Sequence, residues 1–386
     1  MKNKKNGMTR RGFLGATTAA AAASVAAMAA RPIFASAPAG GGGDEPVKKL
    51  GFAFVGIGSL TMNQILPSIA KSKYVKIAGL VSGHPDKAKM YAQRYGMNEK
   101  NIYNYENYDT IKDNPEIDVV YIVLPNNMHA EYTIRAAKAG KHVLSEKPMA
   151  TSVADCQAMI DACKAAKKKL MVAYRMQYEP MTLKAIDIAK NQLGGIQQIA
   201  AEAGFSALNN RKETWWRLSK KMAGGGPLMD MGIYGLQATR YLSHEEPTQV
   251  TASMFTPANS EVFSEVEETL QMQLQFPSGA MASVLTTYGF GCNRVRAYGA
   301  RGVMDIEPFQ SYTGNHLYYP ATGRGGTRTD VTYTAVDHFA TEMDDFCECI
   351  MNNKESKTPG EEGLRDIKIM MAAYESARGG KAVKLG

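Results

Sequence analysis

Lys147, Asp230 and Tyr234 carry the chemistry that this chain can do. Lys147 stands in V-L-S-E-K-P-M at 143–149, where an apolar, β-branched run ends in a Glu-Lys-Pro triplet. A lysine at the carboxyl end of a strand in an open α/β sheet lies where such folds bind ligands. Taken alone, the triplet also reads as a surface ion pair at a strand end. Asp230 and Tyr234 are four apart in a helical pattern over Leu228–Leu242, so they share a face. Gly224, Gly225 and Gly226 precede them and let that helix start approach another domain closely. Tyrosine alone is a poor base, but a nearby ammonium stabilises its phenolate. Lys147 and Tyr234 could then take a proton from a hydroxyl as its carbon gives up a hydride, and return it in the reverse step. Asp230 would orient that hydroxyl and hold the lysine charged. By residue type alone, Asp230 and Tyr234 read somewhat better as ordinary polar members of an interfacial helix.

The elements that must position these groups begin at Leu50–Val55, a short apolar run expected of a buried parallel strand. It ends in Gly56-Ile57-Gly58-Ser59-Leu60-Thr61, followed by a helical pattern over Met62–Lys71. The first two glycines allow a tight turn and close approach to a pyrophosphate, which the helix start favours electrostatically. Gly56, Gly58, Ser59 and Leu60 are therefore cofactor candidates; Thr61 stands where a Gly or Ala is usual. The next strand, Val75–Val81, ends in Ser82-Gly83-His84 with Lys87 a turn later. A hydroxyl and an ammonium, where a dinucleotide domain often has a carboxylate, favour NADP over NAD. Ser82 could also cap the helix predicted over Pro85–Tyr95. Strands at Val119–Leu124, His142–Ser145 and Leu170–Tyr174 alternate with helices at Ala130–Ala139 and Val153–Lys168, with Ser152 as N-cap. That alternation predicts a doubly wound parallel sheet, an α/β Rossmann domain.

Beyond residue 174 the pattern predicts a second, α+β domain. A helix over Pro180–Gln192 precedes a strand at Ile196–Phe205. After Pro247 come alternating strands. In Thr269–Phe276, Leu270, Met272, Leu274 and Phe276 share one face, and Gln271, Gln273 and Gln275 the other. Ala280–Tyr288 and Arg294–Gly299 continue what should be an open, mostly antiparallel sheet. Asp337–Met351 and Gly363–Ala377 read as closing helices. One sheet face should pack on helices; the other is regular enough to pair with a second subunit, making a homo-oligomer, dimer or tetramer.

The 386 residues are 45% hydrophobic and 21% charged, a globular composition. The net charge of +8 is misleading. Residues 1–37 hold Lys2, Lys4, Lys5, Arg10, Arg11 and Arg31 and no acid, and taking those six from 45 basic residues leaves 39 against 37 acidic ones. A nearly neutral mature chain argues against nucleic acid and anionic membrane as partners. The first 37 residues read as a twin-arginine signal: Arg10-Arg11 before Phe13-Leu14, an Ala-rich run, then Ala35-Ser36-Ala37. A transmembrane anchor is the weaker alternative, because the apolar run is short and Arg31 closes it. Export of a folded, cofactor-loaded protein to the periplasm is the consequence. The expected layout is a signal at 1–37, a flexible lead at 38–49, a cofactor domain at 50–174 and a substrate and oligomerisation domain at 175–386. The five cysteines, 156, 163, 292, 347 and 349, read as free thiols, and the spacing of His, Cys and acids suggests no metal site.

Longer blocks carry a resemblance. Asn63 to Pro67, Leu80 to Gly83, Leu124-Pro125-Asn126, His129-Ala130-Glu131, Glu146 to Cys156, Trp216-Arg217-Leu218, Asp230 to Leu236 and Pro359 to Gly363 are similar to the Gfo/Idh/MocA oxidoreductases, and most to their glucose–fructose oxidoreductase branch. The resemblance implies Lys147 and Tyr234 as the catalytic pair, Asp230 on a sugar, and a cis bond between Lys147 and Pro148. It implies Ser82 and Lys87 on the 2′-phosphate of NADP. It implies that Leu124, Pro125, Asn126, His129, Glu146, Lys147, Arg175, Trp216 and Arg217 line the cofactor. The expected activity is oxidation of an aldose at C1 with reduction of a second sugar. A glycoside dehydrogenase, a redox-assisted glycosidase and a sugar-binding module on a retired dinucleotide fold remain alternatives.

Overall fold

The computed structural model describes residues 47–210, 215–320 and 328–386. The signal expected over 1–37 and most of the lead lie outside the described residues. The first sheet is built from β1 (Leu50–Val55), β2 (Val75–Val81), β3 (Ile102–Tyr103), β4 (Val119–Ile122), β5 (His142–Glu146) and β6 (Leu170–Ala173). Its order is β3-β2-β1-β4-β5-β6, with every neighbouring pair parallel. β1 lies between β2 and β4 and is buried on both faces, which is why it reads as an unbroken apolar run. The strand order reverses beside β1, so a crevice opens at its carboxyl end. Helices α1 (Pro85–Arg94), α2 (His129–Lys138) and α3 (Val153–Ala165) flank the sheet. Ser152 caps α3 as expected, its Oγ accepting from the Asp155 amide at 3.1 Å.

Three local expectations are corrected. The helix expected over 62–71 is π-helical at Thr61–Ile65, α-helical only at Leu66–Ser68 and 3₁₀ at Ile69–Lys71. Pro67 has no amide hydrogen for the Asn63 carbonyl and its ring crowds that carbonyl, so a regular ladder cannot pass through it. Ser82 does not cap α1. The cap position is His84, and Ser82 Oγ accepts from the His84 amide at 3.0 Å instead. β3 went unseen because two residues are too few to show a period.

The second sheet contains β7 (Ile196–Gly204), β8 (Gln249–Phe255), β9 (Thr269–Gln275), β10 (Met281–Thr287), β11 (Cys292–Gly299), β12 (Gly302–Ile306), β13 (Leu317–Pro320), β14 (Arg328–Asp330) and β15 (Val383–Lys384). Its order is β14-β13-β12-β11-β7-β10-β9-β8-β15; β7 and β10 are parallel and the other pairs antiparallel. Four more helices are α4 (Pro180–Asn191), α5 (Ile233–Ser243), α6 (His338–Met351) and α7 (Gly360–Gly379). Leu270, Met272 and Leu274 are buried in one cluster with residues of α4, α5 and α7, while Gln271, Gln273 and Gln275 are exposed. Each such aliphatic side chain contributes roughly 1.5–3 kcal/mol when fully buried. α6 crosses back: Phe339, Met343, Phe346 and Cys347 pack with Phe52, Phe54 and Leu144 of the first sheet. All five cysteines are free.

Candidate active site

The glycine turn after β1 forms a cradle. Gly56 has φ +94°, and a Cβ there would stand 2.2 Å from the Val123 carbonyl oxygen. Only glycine meets both conditions. A Cβ at Gly58 would meet nothing within 4 Å, so this position faces open space. Thr61 is buried, and its Oγ1 donates to the Gly56 carbonyl at 2.6 Å. The hydroxyl ties the start of the helical segment to the turn, which accounts for a threonine where a smaller residue is usual.

A cavity of about 410 Å³ runs along this turn. Gly56, Gly58, Ser59 and Leu60 form its floor, and Leu124, Pro125 and Asn126 one wall. Ser82, His84, Lys87 and Tyr105 lie at one end. Lys87 Nζ donates to the Ile57 carbonyl at 3.1 Å, which brings its ammonium to the turn. The carboxylates lining the groove, Glu146 and Asp230, stand at the other end with Lys147, Trp216 and Arg217. The shape and the charge order fit a dinucleotide: open glycine backbone for phosphates, a hydroxyl and a cation for a 2′-phosphate, and acid–base groups at the far end.

The two sheets meet where the sequence places Lys147. Asn126 Nδ2 donates to the Ala223 carbonyl at 2.9 Å. Gly224 has φ +83°, and a Cβ there would lie 2.8 Å from the Thr151 side chain. The glycine run is therefore what lets 223–226 close on the segment after Lys147. Asp230 follows in a π-helical stretch, Leu228–Gly232, that leads into α5 with Tyr234. Lys147 Nζ donates to the Asp230 carbonyl at 2.7 Å and to its Oδ1 at 3.3 Å. The same ammonium stands 4.6 Å from the Tyr234 ring centroid. The Lys147–Pro148 peptide is cis.

The charges are strongly coupled. Burial opposes ionisation of Asp230, but Arg217 (Nε donating to Oδ2 at 2.9 Å), Lys147 and Tyr288 (hydroxyl donating at 3.2 Å) hold its carboxyl down to about 2. Burial also opposes the ammonium of Lys147, yet Tyr234, Asp230 and Glu146 outweigh it and raise its pKa above the ordinary lysine value. Glu146 is pushed up by burial, against the pull of Lys147, of Arg175 and of the Tyr121 hydroxyl, which donates to it at 2.9 Å. The result is an ionised carboxylate and a protonated amine beside a phenol, at the edge of the groove.

Two expected cofactor residues are placed differently. His129 is fully buried, its ring nitrogens 2.8 Å from the Pro148 and Leu124 carbonyls. It fixes two groove segments from behind and does not face the groove. Arg175 lies against Tyr234: its Nε donates to the phenol oxygen at 3.2 Å. The other expected residues line the groove. Sequence reasoning missed Ile57, His84, Tyr105 and Val123 in the groove, and Tyr288 and Tyr121 as partners of the two carboxylates. Tyr121 reads as one more apolar residue of a buried strand, and Tyr288 follows a strand 58 residues beyond Asp230, so neither gave a spacing signal.

Residues 50–174 match the oxidoreductase family described by its NAD-binding Rossmann fold, and residues 187–385 match that family's C-terminal alpha/beta domain. The solved aldose-aldose oxidoreductase from Caulobacter crescentus is 41% identical with a TM-score of 0.84, over 88% of this chain and 100% of that one. An NADP(+) D-xylose 1-dehydrogenase of Haloarcula marismortui is 28% identical over 354 residues, 89% of this chain and 94% of its own. A second such enzyme, from Haloferax volcanii, is 26% identical over 338 residues, 86% of this chain and 99% of its own. With a dinucleotide cradle, a lysine–tyrosine pair at its far end and both domains matched in order, the chain belongs to the Gfo/Idh/MocA oxidoreductase family.

Proposed function

We propose that this oxidoreductase acts on sugars, holds NADP in its groove and moves a hydride from one sugar to another. The observation carrying this reading is the convergence of Lys147, Asp230 and Tyr234 at the end of a groove that starts at a dinucleotide turn. NADP supplies the site that takes the hydride and later gives it back. The protein does the rest. Tyr234 accepts the C1 hydroxyl proton of an aldose as C1 loses hydride, which leaves a lactone. In the second half, Tyr234 returns the proton as the carbonyl of another sugar, aldose or ketose, gains the hydride and becomes a polyol. Lys147 holds its ammonium over the Tyr234 ring, and Asp230, held ionised, accepts from a sugar hydroxyl. Ser82 and Lys87 take the 2′-phosphate.

The relatives support this choice: two are NADP(+) D-xylose 1-dehydrogenases and one is an aldose-aldose oxidoreductase. The twin arginines of 1–37 add a compartment. A periplasmic enzyme has no free NADP pool to draw on, so a retained cofactor reoxidised in place by a second sugar suits export. The exposed glutamine row of β9, with exposed Phe255 and Met281 on neighbouring strands, offers a face for a second copy of the chain.

The test is purification without added nucleotide, then native mass spectrometry for bound NADP and subunit count. Products are read with glucose alone, glucose plus fructose, and a nitrophenyl glycoside. Lactone and polyol in equal amounts are expected; a protein that neither retains nor rebinds NADP ends this reading. Export is checked separately by fractionating cells that make the full chain or its Arg10→Lys, Arg11→Lys form.

A further inference from the structure

Arg175 lies two residues beyond the end of β6 and is 5% exposed. Its guanidinium carbon stands 4.9 Å from the Tyr234 ring centroid and 4.9 Å from that of Tyr312, so it is held between two rings. Nε donates to the Tyr234 phenol oxygen at 3.2 Å. The outer nitrogens donate to the Gln310 carbonyl, to the Ser311 carbonyl at 3.5 Å and to Met176 Sδ at 3.3 Å. The loop that supplies those carbonyls is itself braced. Asn293 Oδ1 accepts from the Phe309 and Gln310 amides at 2.9 and 3.1 Å. Asn315 accepts from the Ser311 amide at 2.9 Å and donates to the Ser311 carbonyl at 3.0 Å. Lys147, by contrast, gives its hydrogen bonds to Asp230 and meets Tyr234 over the ring.

We propose that Arg175 is a fourth catalytic residue: it donates to the reacting oxygen of Tyr234 and holds that oxygen as a proton acceptor, with the loop 307–316 setting its aim. The proposal rests on the sugar-redox reading above. A guanidinium stays protonated in proteins, so Arg175 cannot trade its proton with the phenol. It can only favour the phenolate, and Asp230 keeps Lys147 charged nearby. As the C–H bond breaks and its electron pair leaves as hydride, the sugar hydroxyl gives its proton to the Tyr234 oxygen. The O–H pair becomes the new C=O bond, the phenolate becomes a phenol, and Arg175 remains a cation. The charged and titratable groups around the pair are Tyr121 from β4, Glu146 from β5, Lys147, Asp230, Tyr312 from the loop, and His338 and Glu342 from α6.

The experiment uses the holoprotein with Arg175→Met, Arg175→Lys and Tyr234→Phe. Arg175→Met should lower kcat on the order of 10²-fold near neutral pH, as when one oxyanion donor is removed. Its loss should shrink as pH rises, and its content of bound NADP should match wild type. Arg175→Lys should recover part of the activity. Independently of turnover, the phenolate absorbance assigned to Tyr234 by difference from Tyr234→Phe should form at higher pH in Arg175→Met. Should Arg175→Met not fold, Asn293→Ala slackens the loop from outside and should move the same two profiles in the same direction. Unmoved pH and phenolate profiles overturn the proposal, as does activity lost in proportion to lost NADP. A wild-type protein that turns over no sugar refutes the function instead, and the phenolate titration still decides the role of Arg175.

Discussion

Lys147, half-buried, and Glu342, fully buried, are ionisable groups near the active site, and their surroundings keep the first charged and the second neutral. Lys147 is raised because Tyr234, Asp230 and Glu146 outweigh its burial. Lys147→Ala removes that ammonium while leaving the glycine cradle whole. Turnover should fall by about 10³-fold, within the range of a lost acid–base group, with NADP still bound. Unchanged turnover would refute the assignment. Glu342 is fully buried on α6, and neither carboxyl oxygen has a hydrogen-bond partner among the described residues. Burial, then the charge of Glu146, push its carboxyl well above the usual range, against Arg175. The folded protein therefore holds a proton that the unfolded chain releases above roughly pH 4.3. The associated stability is full below that pH and declines as pH rises toward the folded-state value. Glu342→Gln removes the dependence. Its unfolding free energy should equal wild type near pH 4 and exceed it increasingly toward pH 8, by up to roughly 1.4 kcal/mol per pH unit, read from denaturant unfolding at each pH. A gap that does not change with pH contradicts a neutral Glu342.

The long strands were legible because period-two alternation survives in them: β9 shows it residue by residue. The helical segment after the glycine turn was misread because Pro67 changes its hydrogen-bond ladder without changing the apolar spacing. Thr61 is the residue that anchors this segment. Thr61→Ala should cost about 1 kcal/mol for the lost hydrogen bond to Gly56 and should also speed loss of NADP. Glu179→Ala is the contrast. Glu179 caps α4 by accepting from the Thr182 amide at 2.7 Å. Its loss should lower stability by about 1 kcal/mol and leave the bound NADP content unchanged. Differential scanning calorimetry with nucleotide extraction separates the two outcomes.

α6 joins the C-terminal half to the first sheet. It follows β14 in the chain, yet its apolar face covers β1 and the segment after the glycine turn. Unfolding should therefore be one calorimetric transition, with cofactor release coincident; two separated transitions would show that the halves are independent. Phe346→Ala, in the middle of that contact, should cost about 3–5 kcal/mol and lower the temperature of NADP release with it. A variant that unfolds its second sheet normally while NADP leaves early would contradict the coupling.

The α/β class and the open, mostly antiparallel second sheet follow from periodicity and glycine turns, which are local properties of the chain, whereas the choice of Lys147, Asp230 and Tyr234 over ordinary interfacial polar residues came from the long motif blocks that carry the family resemblance. The family resemblance set His129 and Arg175 along the cofactor, and the structure shows what their side chains hold. His129 is three residues from the groove wall yet turns both nitrogens inward, and Arg175 turns toward a phenol 59 positions away. Tyr121, Tyr288 and Glu342 gave no sign of their closeness to the site. Which groups face the reacting oxygen depends on how two sheets and α6 pack, and packing sums many weak contacts between residues far apart in the chain. No short window of sequence contains that sum.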